Sequence, residues 1–140
     1  MSVNGPIILI DDDEDDQYLI RTALADLKVN NELRLFENGQ QALDYLLVTA
    51  EKPLIILCDV NMPIMNGIEL RDTIDDNPYL KKKSIPFIFL STSSNRSLID
   101  KAYASTIQGF YKKEHDYELF RNYIDLIIKY WKESLHPNNF

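Results

Sequence analysis

The sequence is poor in cysteine and in positive charge, and it lacks long apolar segments. Its one cysteine, Cys58, excludes an internal disulfide framework and fits a reducing compartment. The net charge of −7 argues against a nucleic-acid backbone or an anionic membrane surface as a partner. No stretch approaches the ~18 apolar residues of a membrane-spanning helix, and no basic-then-apolar signal opens the chain. We therefore expect a soluble, acidic, cytoplasmic protein.

The 140 residues fit one domain, and no linker, repeat or low-complexity stretch divides them. Short apolar runs alternate five times with helix-like patterns, which predicts strands at residues 6–10, 32–36, 54–58, 86–90 and 109–112. This alternation favours an α/β fold, a doubly wound five-stranded parallel sheet of order 2-1-3-4-5, as in flavodoxin-like proteins. We predict that the domain covers residues 1–133 and that residues 134–140 form a short tail.

Six consecutive acidic residues, 11–16, follow the first predicted strand directly. Crowded carboxylates repel one another, and a cation, a helix N-terminus or solvent must offset the repulsion. The site of a doubly wound sheet lies at the carboxyl ends of the strands, near the point where strand order reverses. Asp59 follows the third strand, so we expect it to meet Asp11 and Asp12 there. The remaining residues of the run, 13–16, are expected to form the acidic first turn of a helix.

A hydroxyl and an ammonium are expected at the same edge of the sheet. Ser91 and Thr92 follow the fourth predicted strand, and Lys113 follows the fifth. Converging carboxylates favour a hard cation such as Mg²⁺, which one or two carboxylates hold together with waters and phosphate oxygens. A lysine and a hydroxyl opposite the ion would complete a clamp for three phosphoryl oxygens. A carboxylate beside the ion can attack phosphorus and form an aspartyl phosphate.

Several segments in order resemble a response-regulator receiver domain: residues 8–12, 59–63 with 66–67, 86–91 and 109–113. The resemblance covers about residues 6–133. It implies a stand-alone receiver of two-component signalling that accepts a phosphoryl group from a histidine kinase or a histidine phosphotransfer protein. Its output would be contact with a downstream protein, and it would not be an enzyme beyond phosphoryl transfer onto itself and hydrolysis. Residues 38–46 are similar to the single-domain subgroup associated with phytochrome-type kinases.

The resemblance also implies which residues hold the Mg²⁺ ion and the phosphoryl group. Asp59 matches the phosphoacceptor, and Asp12 matches a direct Mg²⁺ ligand. Asp11 matches an acidic partner that acts through water, and Asn61 would offer its backbone carbonyl to the metal.

The remaining matched positions bind the phosphoryl group or take part in the switch. Ser91 matches the hydroxyl that moves toward the phosphoryl group on activation, and Lys113 matches the lysine that pairs with a phosphoryl oxygen. Phe110 stands where these domains carry a rotating aromatic, often Tyr, so a switch there would work by packing alone. Thr92 stands where Ala is common, and its bulk is expected to slow access to the phosphoryl group.

Two details around the lysine stay open. Lys112 is adjacent, and we prefer Lys113 because successive residues of a strand face opposite sides of the sheet. Glu114 follows where the family usually has Pro, and a cis bond without Pro costs ~2.5–4 kcal/mol. The geometry of the bond after Lys113 is therefore not settled by the sequence.

Two other functions fit parts of the pattern. A phosphatase of the haloacid-dehalogenase kind also uses an aspartyl nucleophile, but it needs an Asp two residues later, where this chain has Asn61. A flavin- or nucleotide-binding protein needs a phosphate loop after the first strand, where Asp11 and Asp12 would repel a phosphate.

The last predicted helix, roughly residues 116–133, has apolar residues on more than one face. It is either a well-buried terminal helix or a helix with a protein-contact surface, and the sequence favours neither.

Overall fold

The structure is a computed structural model that describes residues 2–136. The last four residues of the predicted tail, 137–140, lie outside the described residues. The five strands form one parallel sheet of order β2-β1-β3-β4-β5, which confirms the predicted topology. They are β1 (Ile7–Ile10), β2 (Leu33–Phe36), β3 (Ile55–Cys58), β4 (Phe87–Ser91) and β5 (Gly109–Lys112). The first four begin one residue later than predicted, and β4 extends to include Ser91.

Within the described residues, a short 3₁₀ turn (Ser2–Asn4) precedes the sheet and six α-helices surround it. An Asn or Asp side chain caps the N-terminus of each α-helix by accepting hydrogen bonds from its first-turn N–H groups. The helices are α1 (Glu14–Asp26), α2 (Gly39–Val48), α3 (Gly67–Asp76), α4 (Pro78–Lys82), α5 (Arg96–Ala104) and α6 (Tyr117–Glu133).

The core consists of one apolar layer on each face of the sheet. Alternate residues of β1 face opposite layers: Ile7 and Leu9 pack with α1 and α6, whereas Ile8 and Ile10 pack with α2, α3, α4 and α5. The residues of β1, β3 and β4 are buried throughout, as expected for parallel strands covered on both faces. Edge strands β2 and β5 are more exposed.

Helix α6 covers the sheet with one face and leaves apolar side chains on another. Phe120, Ile124 and Ile127 are buried, whereas Leu126 is 53% exposed and Tyr130 is 64% exposed. One face of the helix is therefore buried as the first interpretation predicts, and contact of the exposed face with another protein stays a prediction.

Two further features bear on the sequence-based expectations. All peptide bonds between described residues are trans, which includes the bond from Lys113 to Glu114. Within residues 2–136, no helix combines the length and the apolar character that crossing a membrane requires.

Candidate functional site

Three carboxylates meet at the carboxyl ends of β1 and β3. The two strands are neighbours in register, with Ile10 opposite Cys58, so the residues that follow each strand end side by side. Carboxylate oxygens of Asp11, Asp12 and Asp59 lie within 4.8 Å of one another. Asp11 is buried, Asp59 is half-buried and Asp12 is exposed. Three oxygen donors open to solvent on one side fit a hard divalent cation that keeps some of its waters.

The backbone fixes the position of Asp59. Its N–H donates to the carbonyl of Ile10 at 2.9 Å, and its Oδ1 accepts a hydrogen bond from the N–H of Val60 at 2.8 Å. Gly67, the first residue of α3, packs so closely that an added Cβ would lie 2.3 Å from the carbonyl oxygen of Asp59. Only glycine fits there without a shift of the backbone, so α3 supports the loop that carries Asp59.

Lys113 brings its ammonium into the carboxylate cluster. Its Nζ donates hydrogen bonds to Oδ2 of Asp11 at 2.6 Å and to Oδ2 of Asp16 at 2.7 Å. The distance from Nζ to Oδ2 of Asp59 is 3.6 Å. Lys112 is exposed and lies opposite Ser91 in the ladder, so the structure brings Lys113 and not its neighbour to the cluster.

Burial and charge shift the pKa values of this cluster. Burial raises the pKa of Asp59 to about 6; the charge of Asp11 adds to the rise, and Lys113 opposes it. Burial also raises the pKa of Asp11, against the effect of its hydrogen bond from Lys113. Burial by itself would lower the pKa of Lys113, but its hydrogen bonds to Asp11 and Asp16 hold that pKa above its usual value. The lysine is therefore charged at neutral pH, and the two aspartates repel each other.

The predicted phosphoryl-binding hydroxyl lies on the adjacent strand. Ser91 is the last residue of β4 and is fully buried, and its Oγ accepts a hydrogen bond from the N–H of Ser93 at 3.2 Å. Its carbonyl accepts a hydrogen bond from the N–H of Lys113 at 2.8 Å, which ties the ends of β4 and β5 together. Thr92, the next residue, is exposed at the same rim.

The other two predicted site residues lie farther out. Phe110 is half-buried on β5, and its ring centroid is 6.0 Å from that of Phe89 on β4. Asn61 is exposed in the loop that follows β3. The carbonyl of Asn61 as a metal ligand and the ring of Phe110 as a switch stay predictions.

The prediction for Asp16 was incomplete. Asp16 does lie in the acidic first turn of α1, but its carboxylate also pairs with Lys113. The reason is the register of the helix: Asp13 caps α1, and successive residues then turn by roughly 100°. Glu14 and Asp15 therefore face solvent, while Asp16 turns toward the rim. The signal in the sequence was Asp13 as N-cap, from which this register follows.

Comparison with known proteins shows the same family from sequence and from structure. Residues 7–125 match the response regulator receiver domain. The response regulator Rcp1 of Synechocystis sp. is 27% identical over 134 residues, which covers 92% of this chain and 90% of that protein. The phosphorylated cyanobacterial phytochrome response regulator RcpA superposes with a TM-score of 0.84 at 29% identity, covering 95% of this chain and 97% of that one.

A second structure adds a metal-bound relative. The Mn²⁺-bound form of Rcp1 superposes with a TM-score of 0.80 at 26% identity and covers 94% of this chain and 97% of that one. The sequence match extends over most of the described domain, and these relatives share its fold over nearly their whole length. The chain therefore belongs to the response regulator receiver domain family of two-component signalling.

Proposed function

We propose that Asp59 accepts a phosphoryl group from a histidine kinase or a histidine phosphotransfer protein in a Mg²⁺-dependent step. The main support for this proposal is that Asp59 lies both in a candidate cation site and beside a lysine. Its carboxylate belongs to the three-residue acidic cluster and also lies 3.6 Å from the ammonium of Lys113. A nucleophile between a cation site and a lysine suits transfer of a group that carries negative charge on three oxygens.

The transfer itself needs little from the protein beyond position and charge. A carboxylate oxygen of Asp59 forms a bond to phosphorus as the P–N bond to the donor histidine breaks, and the electron pair of that bond stays on the histidine nitrogen. Lys113 and Ser91 are the groups that would receive the phosphoryl oxygens. A divalent cation held by Asp11, Asp12 and Asp59 would supply the positive charge that offsets the carboxylates and the incoming phosphoryl group.

Mg²⁺ is proposed as the physiological ion from the chemistry of the donors. The three side chains of the cluster offer only carboxylate oxygens, which hard cations such as Mg²⁺ and Mn²⁺ prefer. Two relatives support the phosphoryl and metal assignments: one structure is of phosphorylated RcpA, and another is of Mn²⁺-bound Rcp1. The residue-by-residue transfer of those properties to this chain is our inference.

The output is proposed to be contact with a downstream protein. Phosphorylation would draw Ser91 toward the phosphoryl group, and Phe110 would repack against Phe89, which shifts an equilibrium between two conformations. Exposed apolar side chains on α6, including Leu126 and Tyr130, offer a surface for such contact. On this proposal the chain acts in the cytoplasm as a receiver, and the chemistry of this domain is phosphorylation and dephosphorylation of Asp59.

Phosphorylation by a small phosphodonor tests the proposal directly. The natural chain and its Asp59→Asn and Asp15→Asn variants are incubated with acetyl phosphate, with Mg²⁺ or with a chelator, and intact masses are measured. We expect an acid-stable, base-labile gain of one phosphoryl group that requires Mg²⁺. The gain should disappear in Asp59→Asn and persist in Asp15→Asn, which removes an exposed carboxylate of the same acidic run.

Two outcomes would contradict the proposal. Labelling that survives Asp59→Asn would place the phosphoryl group elsewhere. Steady release of phosphate from ordinary phosphomonoesters would instead favour a phosphatase of the haloacid-dehalogenase kind.

A further inference from the structure

Lys113 has two carboxylate partners in addition to Asp59. Asp11 and Asp16 accept hydrogen bonds from its Nζ at 2.6 and 2.7 Å, whereas Oδ2 of Asp59 lies 3.6 Å away. An ammonium has three N–H donors and no acceptor, and the bonds to Asp11 and Asp16 use two of them. Asp11 and Asp16 therefore hold the ammonium in place, and Asp59 is its more distant neighbour.

Both carboxylate oxygens of Asp11 already accept a hydrogen bond in this arrangement. Its Oδ1 accepts a hydrogen bond from the N–H of Asp13 at 3.0 Å, and its Oδ2 accepts the bond from Lys113. Asp11 is also one of the three carboxylates that would hold a divalent cation. An ammonium and a divalent cation on one carboxylate repel each other, so the bond from Lys113 to Asp11 must weaken when Asp11 contributes to the metal site.

Asp16 can hold Lys113 independently of the metal site. Its carboxylate bonds to Lys113 but does not belong to the three-carboxylate cluster. It is placed by the first turn of α1, and its side chain is 22% exposed, so it is less buried than Asp11.

We propose that Asp16 is a positioning residue for phosphoryl transfer. It keeps the Lys113 ammonium beside Asp59 while Asp11 binds the divalent cation. The inference rests on the proposed function for its consequence in phosphorylation. Without Asp16, Asp11 is the only carboxylate among the described residues that accepts a hydrogen bond from Lys113, so the ammonium and the cation compete for it. Weaker metal binding and a displaced lysine both follow from that competition.

Binding of Mn²⁺ in the absence of a phosphodonor tests the first consequence. Free Mn²⁺ is measured by electron paramagnetic resonance for the natural chain, Asp16→Asn and Asp15→Asn. Asp15→Asn is the matched control, because it removes one carboxylate from the same helical turn at an exposed position. We expect the dissociation constant for Mn²⁺ to rise about fivefold or more in Asp16→Asn and less than about twofold in Asp15→Asn. Equal effects of the two substitutions would overturn the proposal.

A double-mutant cycle separates action through Lys113 from a simple charge effect. In the Lys113→Met background, Asp16→Asn should change Mn²⁺ affinity less than about twofold, because the group it acts through is gone. The same loss in both backgrounds would show that Asp16 acts as a nearby charge, which would also overturn the proposal. If Lys113→Met does not fold by circular dichroism, Lys113→Gln replaces it as the background, and the same two outcomes decide.

Phosphorylation provides the second readout and keeps the two proposals distinguishable. At saturating Mg²⁺ and acetyl phosphate, we expect the maximal rate to fall about tenfold in Asp16→Asn and to stay unchanged in Asp15→Asn. If the natural chain accepts no phosphoryl group, the proposed function fails, while Mn²⁺ binding still decides whether Asp16 acts through Lys113. A natural chain that binds no Mn²⁺ would overturn both proposals.

Discussion

Lys113 and Arg71 are both buried cations, but their surroundings differ. Lys113 lies at the rim with hydrogen bonds to Asp11 and Asp16, and its pKa is raised. Arg71 lies on α3 with one carboxylate, Asp75, at 3.1 Å, and burial lowers its pKa. Neither Nε of Arg71 nor Oδ1 of Asp75 has a hydrogen-bond partner among the described residues, so this pair is held by charge alone.

The difference indicates that Lys113 belongs to a candidate cation site, whereas Arg71 forms an ion pair within the fold. Around Lys113, negative charge exceeds positive charge, and the excess is what a cation site needs. Around Arg71, one positive charge meets one negative charge, and the guanidinium lies 5.2 Å above the ring of Phe87. The first arrangement has an excess of negative charge that a divalent ion would offset, whereas the two charges of the second balance each other. Substitutions at the rim should therefore have larger effects than the substitution at Arg71.

The largest expected effect is at the rim. Lys113→Met should lower the free energy of unfolding by about 3 kcal/mol in a chelating buffer, because it leaves Asp11 and Asp59 buried without their cation. Mg²⁺ should restore part of the loss, since it binds the folded chain and replaces the missing positive charge. Urea unfolding followed by circular dichroism, with and without Mg²⁺, measures both effects. A loss that Mg²⁺ leaves unchanged would contradict the cation site.

A smaller effect of opposite sign is expected from Asp59→Asn. The pKa of Asp59 rises from 3.8 to about 6 on folding, so its ionised form is disfavoured in the folded state. At about 1.4 kcal/mol per pKa unit the cost at neutral pH is at most about 3 kcal/mol. The shift already includes the attraction of Lys113, and Asn carries no charge at any pH, so we expect the variant to be more stable by about 2 kcal/mol at pH 7 without metal.

The pH dependence of this difference provides its check. A raised folded-state pKa costs stability only where the unfolded carboxyl has lost its proton. The stability advantage of Asp59→Asn should therefore be absent below about pH 3, grow between there and about pH 6–7, and stay constant above. Urea unfolding at fixed pH values in chelator measures it. A difference independent of pH would contradict the assigned shift.

The sequence predicted most of the fold and most of the site. Alternating apolar runs and helix patterns were enough for the sheet order, and the order was enough to bring Asp11, Asp12 and Asp59 together. Because parallel strands end at one edge, even approximate strand boundaries locate such residues. An error of one residue at the start of a strand leaves its end unchanged.

The parts that were not predicted depend on helix register and on packing. The contact between Asp16 and Lys113 requires the exact start of α1, which Asp13 sets as the N-cap. The burial of Arg71 requires knowledge of which face of α3 meets the sheet beside Leu70 and Ile74. Arginine at a buried helix position contradicts its usual preference, so composition and periodicity gave no signal for it.

The smallest effect on the free energy of unfolding is expected at Arg71. Arg71→Leu fills the space among Leu46, Ile74 and other apolar side chains, so the lost charge is replaced by buried apolar area. Asp75 is only 18% exposed and its Oδ1 has no hydrogen-bond partner among the described residues, so loss of the arginine leaves this carboxylate without its charge partner. Because Oδ2 keeps the hydrogen bond from the N–H of Thr106 and the leucine adds buried apolar area, we expect the free energy of unfolding to fall by only about 1 kcal/mol.

The same Arg71→Leu variant should leave the rim unchanged. Its Mn²⁺ affinity and its rate of phosphorylation by acetyl phosphate should match those of the natural chain, because Arg71 contacts Asp75 and Phe87 and none of the rim carboxylates. Urea unfolding, Mn²⁺ binding and intact-mass phosphorylation on one preparation give all three values. A destabilisation as large as that of Lys113→Met would mean that the pair with Asp75 matters as much as the rim. The contrast between a buried charge that one carboxylate balances and a buried charge that belongs to a cation site would then be wrong.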